Sequence, residues 1–440
     1  MRLHQWFWLA LGATRLCSAL SAAGERVLVM VPTVDAASEY SDFLDSLTQR
    51  GFDLSVRGAS NTSVALHNDD STREYDHAIL LAPAARRLGA LSPRNIVRFV
   101  NDGGNLIVAA SSDISDTLRS LATQFGVEFA KRKSRIVDHV HGTAGHTLVP
   151  SSHYANTSAV LSDLLLAAQN APPVYFEGIG HRYKESPLLI PLLTAPRSAY
   201  SSPPEDSVLS GMSLGLVSVF QTRTNARVAF SGSTALFSNR LLRKKDAANR
   251  QFVTDLSQWV LQEKAVLRAS PLRHALAAGG RPNHYRVASD VVFEIDLTEL
   301  RDGSWQPYRA HDVQLEAIML DPYIRTTLNQ SSTSSIYGTY RGDIRLPDRY
   351  GTFTFRVNYK RPGLSNVDAQ DIVGIRPLRH DEYPRFLSAA YPYYASSFVM
   401  ILAFLALSAV WLWSAEKKTA PSAPPASASK SSKAKKSKKS

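Results

Sequence analysis

Short unbroken apolar runs alternate with amphipathic stretches in the first part of the chain. Unbroken runs of this length are typical of strands that are covered on both faces. The stretch between the first two runs places apolar residues at the spacing of one helical face and stops at Gly51, and a second helix is predicted to open at Ser92-Pro93. This alternation predicts a mostly parallel α/β sheet. The apolar runs are Val27–Val31, Ala78–Leu81 and Leu106–Ala109.

The pattern from residue 131 to residue 270 is less regular. It contains several short strand candidates and closes with a helix after Asp246, in which Phe252, Leu256 and Trp259 belong to one apolar stripe. We predict an α/β domain over residues 24–165. The pattern leaves two readings of residues 166–275 open, a continuation of the α/β body or a separate middle domain. The strand candidates are Val174–Phe176, Leu188–Leu193, Leu214–Phe220 and Arg227–Ser231.

Beyond Arg281 the pattern changes to strict alternation of apolar and polar residues. Thr352–Tyr359 alternates without a break, and the segment around Phe293 and Ile295 does the same. Alternation is typical of an antiparallel sheet with one face in water, and turn residues separate the segments. Residues 281–384 are therefore predicted to form a membrane-proximal antiparallel β-sandwich-like domain.

One long apolar segment follows that domain. No charged residue occurs from Phe386 to Ala415, and about 20 apolar residues at 1.5 Å per residue cross a hydrocarbon core of about 30 Å. Tyrosines lie at one edge of the segment and tryptophans at the other, as they do at membrane interfaces. We predict one C-terminal transmembrane helix over residues 394–414.

The two ends of the chain carry most of its formal net charge of +12. Residues 1–23 have a basic start, a short apolar centre and a small-residue exit, which predicts a cleaved signal peptide. Residues 415–440 are rich in Lys, Pro, Ala and Ser, which predicts a disordered basic cytosolic tail. The tail accounts for +7 and the leader for +2, so about +3 remains for the central region. A nearly neutral body gives no support to nucleic-acid binding.

These ends also predict the topology. Lysines that flank a span stay in the cytosol, and a signal peptide sends the preceding body into the lumen, so a single-pass type I protein is expected. Asn61, Asn156 and Asn329 begin Asn-x-Ser/Thr acceptors on the lumenal side. Lys436 and Lys438 match the spacing of a dilysine retrieval signal, which predicts the endoplasmic reticulum membrane. The same lysines would also bind anionic membrane lipid.

Few residues are arranged for chemistry. Ser213 lies in a G-x-S-x-G sequence, but a strand-like segment follows where a nucleophile elbow needs a helix. His139, His141 and His146 could form part of a metal site, but the remaining ligands are missing at a typical spacing. The single cysteine, Cys17, can form neither a thiolate metal cluster nor a redox pair. We predict no catalytic residues, no cofactor and no metal.

Several segments resemble one known family, the single-span 48 kDa subunit of the endoplasmic reticulum oligosaccharyltransferase. The resemblance runs from about Arg26 to Trp413 and is weaker in the tail. Its most specific part is Ala390–Ser396, which leads into the apolar segment. The other parts are Gly103–Val108, Ser111–Ile114, Asn225–Ser233 and Asp312–Glu316.

The resemblance implies a non-catalytic subunit in protein N-linked glycosylation. The complex transfers a preassembled oligosaccharide from dolichyl diphosphate to Asn in Asn-x-Ser/Thr, and its catalytic groups belong to a separate multi-span subunit. The implied partners are the other subunits, including that catalytic one, and binding of the dolichyl-linked donor stays open. The alternative is a free-standing, membrane-tethered lumenal hydrolase that uses Ser213, or a metal enzyme that uses the histidines at 139–146.

Overall fold

The computed structural model describes residues 21–414 except 62–63, 69, 71, 87–88, 90, 167–171, 203–209, 302 and 384–387. Most of the predicted signal peptide, the whole predicted tail and the lysines at 436 and 438 lie outside the described residues. The chain divides into two compact units, Met1–Pro377 and Leu378–Ser440.

The first part of unit one is a mixed sheet with helices on both faces. Its helices are α1 (Ser41–Gln49), α2 (Pro93–Asn101), α3 (Asp116–Gln124), α4 (Asp163–Leu166), α5 (Asn239–Leu242) and α6 (Asn249–Val260), and short 3₁₀ turns lie at Val34–Tyr40, Gly211–Ser213 and Ala235–Phe237. Its strands are β1 (Arg26–Val31), β2 (Asp53–Gly58), β3 (His77–Leu80), β4 (Asn105–Ala109), β5 (Val127–Phe129), β6 (Arg135–Asp138), β7 (Val149–Ser151), β8 (His153–Tyr154), β9 (Val174–Phe176), β10 (His181–Tyr183), β11 (Leu189–Thr194), β12 (Ala199–Ser202), β13 (Gly215–Gln221) and β14 (Arg227–Ser231).

Ten of these strands form one sheet in the order β2-β1-β3-β4-β14-β13-β10-β5, with β11 on β13 and β8 on β11. The strands from β2 to β14 are parallel, as the apolar runs predict. From β13 onward the pairing is antiparallel, because only five residues connect β13 to β14 and so short a connection cannot cross over. The expected mostly parallel sheet is therefore a mixed sheet, and β6 with β12 and β7 with β9 form separate two-stranded pairs.

Alternate residues of the central strands point into two cores. On β1, Val27 and Val29 face a core that includes α1 and α6, whereas Leu28 and Met30 face a core that includes α2 and α3. The start of α2 is set by its local sequence, because the Ser92 side chain accepts a hydrogen bond from the Asn95 backbone N–H there.

The second part of unit one contains two sheets. The strands are β15 (Val266–Ala269), β16 (Arg273–Leu276), β17 (His284–Arg286), β18 (Asp290–Arg301), β19 (Ser304–Pro307), β20 (Gln314–Ile318), β21 (Pro322–Thr327), β22 (Asn329–Thr333), β23 (Gly338–Arg345), β24 (Gly351–Tyr359) and β25 (Val367–Arg376). One sheet has the order β15-β18-β23-β22 with β16 and β19 also on β18, and the other has the order β17-β25-β24-β20-β21.

Inward side chains of these two sheets meet. The rings of Phe293 on β18 and Phe355 on β24 lie 4.6 Å apart between centroids, in an edge-on arrangement. Strands β15 and β16 precede residue 281, the expected start of the β-rich domain, yet both pair with β18. They are too short to show an alternating pattern of their own, and the long partner β18 determines where they lie.

Unit two contains α7 (Tyr391–Trp413), which follows a 3₁₀ turn at Ser388–Ala390. The segment Ser388–Trp413 has a mean hydropathy of 2.2 in its most apolar window, and none of that window is buried. Among the described residues it is the one helix long and apolar enough to cross a membrane, which agrees with the predicted single span.

Arg227 at the start of β14 connects the two parts of unit one. Its guanidinium is fully buried and donates to three backbone carbonyls, those of Trp259 (2.7 Å), Lys264 (2.8 Å) and Ala265 (2.6 Å). It also stacks on the Trp259 ring at 4.7 Å, and the Trp259 indole N–H donates to the Gly363 carbonyl at 2.7 Å. The buried cation thus holds the end of α6, and α6 in turn holds the turn between β24 and β25.

Replacing Arg227 with Met should lower the free energy of unfolding by about 3 kcal/mol or more, because three hydrogen bonds from a charged donor are lost and such bonds contribute about 1.5–3 kcal/mol each. The Trp259 and Ala265 carbonyls each keep one backbone donor, the N–H groups of Gln262 and Ser365. Chemical denaturation of the purified full chain in detergent measures the change. Arg268→Met is the matched control, since Arg268 also stacks on a tryptophan, Trp305 at 4.9 Å, but is exposed. The control should cost about 1 kcal/mol or less, and equal losses in both variants would contradict the prediction.

Candidate functional site

Ser213 is not in the position of a nucleophile. It ends the 3₁₀ turn Gly211–Ser213, and its hydroxyl donates to the Ser210 carbonyl at 2.8 Å. Strand β13 follows directly, so the strand-turn-helix geometry of a nucleophile elbow is not formed there. The arrangement explains the serine as a local turn stabiliser.

A different serine forms the close pair with a histidine. The Nε2 atom of His181 on β10 lies 2.7 Å from the hydroxyl of Ser218 on the neighbouring strand β13. Both side chains are completely buried, and the His181 Nδ1 atom has no hydrogen-bond partner among the described residues. Burial lowers the pKa of His181 to about 3, so the imidazole is neutral. The two residues lie 37 positions apart and only strand pairing brings them together, so no local pattern predicts the pair. Its burial leaves it no access to a substrate.

A second buried histidine belongs to a polar row at the amino ends of the parallel strands. His77 begins β3, and its Nε2 atom lies 3.0 Å from the Gly24 carbonyl while its Nδ1 atom lies 3.1 Å from the Asn105 amide nitrogen. The Asn105 side-chain oxygen accepts hydrogen bonds from the Arg227 backbone N–H and the Gln262 side chain. Burial is the main cause that lowers the pKa of His77 to about 4. These side chains give hydrogen-bond partners to polar groups at the starts of the strands. The Gln262 side chain connects them to the segment after α6.

Two of the three histidines of the candidate metal site lie close together, and no third ligand joins them among the described residues. The rings of His139 and His146 lie 4.8 Å apart between centroids, and His139 Nε2 lies 2.9 Å from the Tyr200 hydroxyl. Asp138 accepts hydrogen bonds from the backbone amides of Val140 and His141 and from the Ser198 hydroxyl. Within the described ranges, no group of three or more His, Cys, Asp or Glu side chains could hold a metal ion.

The Asn-x-Ser/Thr acceptors differ in exposure. Asn156 lies exposed in the loop after β8, and Asn329 lies exposed at the start of β22, an end strand of its sheet. Asn61 is half-buried in the turn after β2, where its backbone N–H donates to the Gly58 carbonyl at 3.0 Å, and the next two residues lie outside the described part of the chain. Asn156 and Asn329 therefore offer more room for an attached glycan.

The two buried histidines with lowered pKa values, His77 and His181, predict a loss of stability in mild acid. Each binds its proton in the unfolded chain below a pKa of about 6.5 but stays neutral in the fold until about pH 4 or 3. The unfolded state therefore binds more protons as the pH falls, and each histidine should remove about 2 kcal/mol of unfolding free energy between pH 7 and pH 5.

Denaturation of the full chain at both pH values measures this loss. His77→Gln and His181→Gln should each reduce the pH-dependent part by about 2 kcal/mol, whatever their effect at pH 7. His311→Gln replaces an exposed imidazole and is the matched control. An unchanged difference between pH 7 and pH 5 in both buried variants would refute the explanation.

Comparison with known proteins gives consistent results over nearly the whole chain. Residues 18–263 match the family model "OST48, N-terminal domain", and residues 273–415 match "OST48 middle domain". A dolichyl-diphosphooligosaccharide–protein glycosyltransferase 48 kDa subunit of Arabidopsis thaliana is 35% identical over 413 residues, which is 88% of this chain and 92% of that protein. The 48 kDa subunit of Caenorhabditis elegans is 35% identical over 88% of this chain and 91% of its own length.

A third relative and two solved structures complete the comparison. The glycosyltransferase subunit wbp1 of Schizosaccharomyces pombe is 36% identical over 90% of this chain and 93% of its own length. The structure "mmIFT52 N-terminal domain" has a TM-score of 0.39 at 14% identity and covers 53% of this chain and 99% of its own. The carbohydrate deacetylase Agd3 has a TM-score of 0.32 at 12% identity, with 60% of this chain and 35% of its own covered. At these TM-scores neither structure bears on function.

Proposed function

This chain belongs to the family of oligosaccharyltransferase 48 kDa subunits, and we propose that it is a non-catalytic subunit of that complex. In this role it helps to assemble the subunits that transfer a preassembled oligosaccharide from dolichyl diphosphate to Asn in Asn-x-Ser/Thr. The observation that carries the proposal is the identity of about 35% to relatives with that name over most of both chains. Binding of the dolichyl-linked donor by the lumenal body is a further part of the proposal.

The local geometry supports a role by contact. The hydroxyl of Ser213 donates to a carbonyl within its own turn, and the ring of His139 packs against the rings of His146 and Tyr200. These are the residues on which a hydrolase or a metal enzyme would depend. A subunit that positions other proteins needs a rigid, correctly shaped surface, and neither Ser213 nor the histidines would be needed for it.

Complementation tests this role. In cells depleted of the native chain, a reporter glycoprotein should be underglycosylated, and the wild-type chain should restore full glycosylation. Ser213→Ala and His139→Ala should restore it equally well, because neither side chain takes part in chemistry. Reporter mobility on a gel, before and after endoglycosidase treatment, measures occupancy.

Two outcomes of the complementation experiment would count against the proposal. Full reporter glycosylation in depleted cells would contradict the role in the complex. A loss of more than about tenfold in reporter occupancy with Ser213→Ala, at normal protein level, would favour the hydrolase alternative instead.

We also propose the topology of a single-pass type I protein of the endoplasmic reticulum membrane. The apolar helix α7 would be the span, residues 1–23 the removed signal, and the lysine tail the cytosolic end with Lys436 and Lys438 as retrieval signal. The body between signal and span would then be lumenal and would carry glycans at Asn156 and Asn329, with Asn61 as the third acceptor.

Protease added to sealed microsomes should shorten the chain only by its tail, because the bilayer shields the lumenal body. Immunoblotting with an antibody against the body measures the remaining fragment, and detergent before protease is the control that should remove it. Asn156→Gln should abolish one endoglycosidase-sensitive shift, which reports lumenal exposure independently. Digestion of the body in intact microsomes would contradict this topology.

A further inference from the structure

A cavity of about 440 Å³ lies between two turns from the two parts of unit one. One wall is the turn that joins β13 to β14, with Thr222 and Arg223, and the other is the turn that joins β24 to β25, with Lys360 and Arg361. Pro187, Leu188 and other residues before and within β11 complete the lining. We call this space the junction cavity.

The walls of the junction cavity are fixed to each other by hydrogen bonds. The Gln221 side-chain amide donates to the Leu364 carbonyl at 2.7 Å. Asn225 and Asn366 form a reciprocal pair, in which the Asn225 side chain donates to the Asn366 carbonyl at 3.1 Å and accepts from the Asn366 backbone N–H at 2.6 Å. A cavity whose walls are already ordered loses little further conformational freedom when it is occupied.

The junction cavity carries uncompensated positive charge. Arg361 is paired with Asp312, but among the ion pairs of the described residues none involves Arg223 or Lys360, and both side chains are exposed. The described residues that line the cavity include no carboxylate. The carboxylate of Asp368 interacts electrostatically with Lys360, but its ion pair is with Arg356 and not with Lys360. Two cations at one opening favour a negatively charged occupant.

The lining beside the cations is apolar. Pro187 is exposed, Leu188 and Ile190 are half-buried, and Pro362 lies next to Arg361 on the opposite wall. A free phosphate would satisfy the cations but leave this apolar surface in water. A peptide that places an aliphatic or aromatic side chain beside Asp or Glu would cover the apolar surface and pair with both cations.

We propose that the junction cavity binds an acidic, partly apolar peptide segment of a partner subunit. The proposal rests on the proposed function, since it needs partner subunits in the lumen. The carboxylates of the segment pair with Arg223 and Lys360, and its apolar side chain packs on Pro187 and Leu188. In this proposal the cavity is a specific docking point at the junction between the two parts of the body.

Charge reversal at the cavity tests the proposal. Full-length chain carrying Arg223→Glu and Lys360→Glu is expressed in depleted cells and purified in mild detergent, and the recovery of each co-purifying subunit is quantified by mass spectrometry at low and moderate salt. At least one subunit should be recovered about tenfold less than with the wild-type chain. Arg94→Glu is the matched control, because Arg94 is an exposed cation on α2 away from the cavity lining, and it should retain wild-type recovery.

One further variant and one stability measurement separate lost contact from lost folding. Arg223→Lys with Lys360→Arg keeps both charges and should restore recovery, and the charge-reversed chain should unfold at the same denaturant concentration as the wild type. A photo-crosslinking residue at position 360 should form an adduct that peptide sequencing assigns to an Asp- or Glu-rich lumenal segment of the lost subunit.

The two kinds of failure are distinguishable. Wild-type recovery of every subunit with the charge-reversed chain, or an adduct to lipid or to a segment without acidic residues, would overturn the cavity proposal and leave the proposed function intact. A wild-type chain that co-purifies with none of the other oligosaccharyltransferase subunits would overturn the proposed function itself.

Discussion

The buried guanidinium of Arg227 is the constraint on which the arrangement of unit one depends. A full positive charge without a carboxylate partner is costly in a protein interior, and here backbone carbonyls compensate it. The Trp259 carbonyl lies in the last turn of α6, where it accepts from the Gln262 backbone N–H as well as from Arg227, and the negative end of the helix dipole points the same way. The charge and the helix end therefore satisfy each other.

That constraint also accounts for the backbone after α6. Gln262 and Ala265 both have positive φ angles, 59° and 58°, which cost non-glycine residues about 1–2 kcal/mol each. These turns bring the Lys264 and Ala265 carbonyls to the guanidinium and allow the Gln262 side chain to reach Asn105. The strain is offset by the hydrogen bonds that it makes possible. The chain then enters β15, so the position of the β-rich part follows from the way Arg227 is satisfied.

Sequence periodicity predicts the elements that local pattern determines. The parallel strands, the Ser92 cap of α2, the buried stripe of α6 that contains Trp259, and the apolar helix near the carboxyl end all have local signals. Arg227 has none, because an arginine at the start of a strand usually points to solvent. Its burial depends on carbonyls more than thirty residues later in the chain, and no pattern within β14 contains that information. The His181–Ser218 pair is missed for the same reason, since the two residues lie on different strands and only the pairing of β10 with β13 brings them together.

The two histidines with strongly lowered pKa values lie in the interior of the sheet. Strongly shifted pKa values at catalytic sites belong to groups that meet a substrate in a cleft, where a proton can be exchanged. His77 and His181 have strongly lowered pKa values, yet both are buried, and their partners are a strand end and a core serine. Protonating either one would destabilise the fold without exposing a base. Their hydrogen bonds instead join neighbouring strands of the sheet, His77 to Asn105 on β4 and His181 to Ser218 on β13.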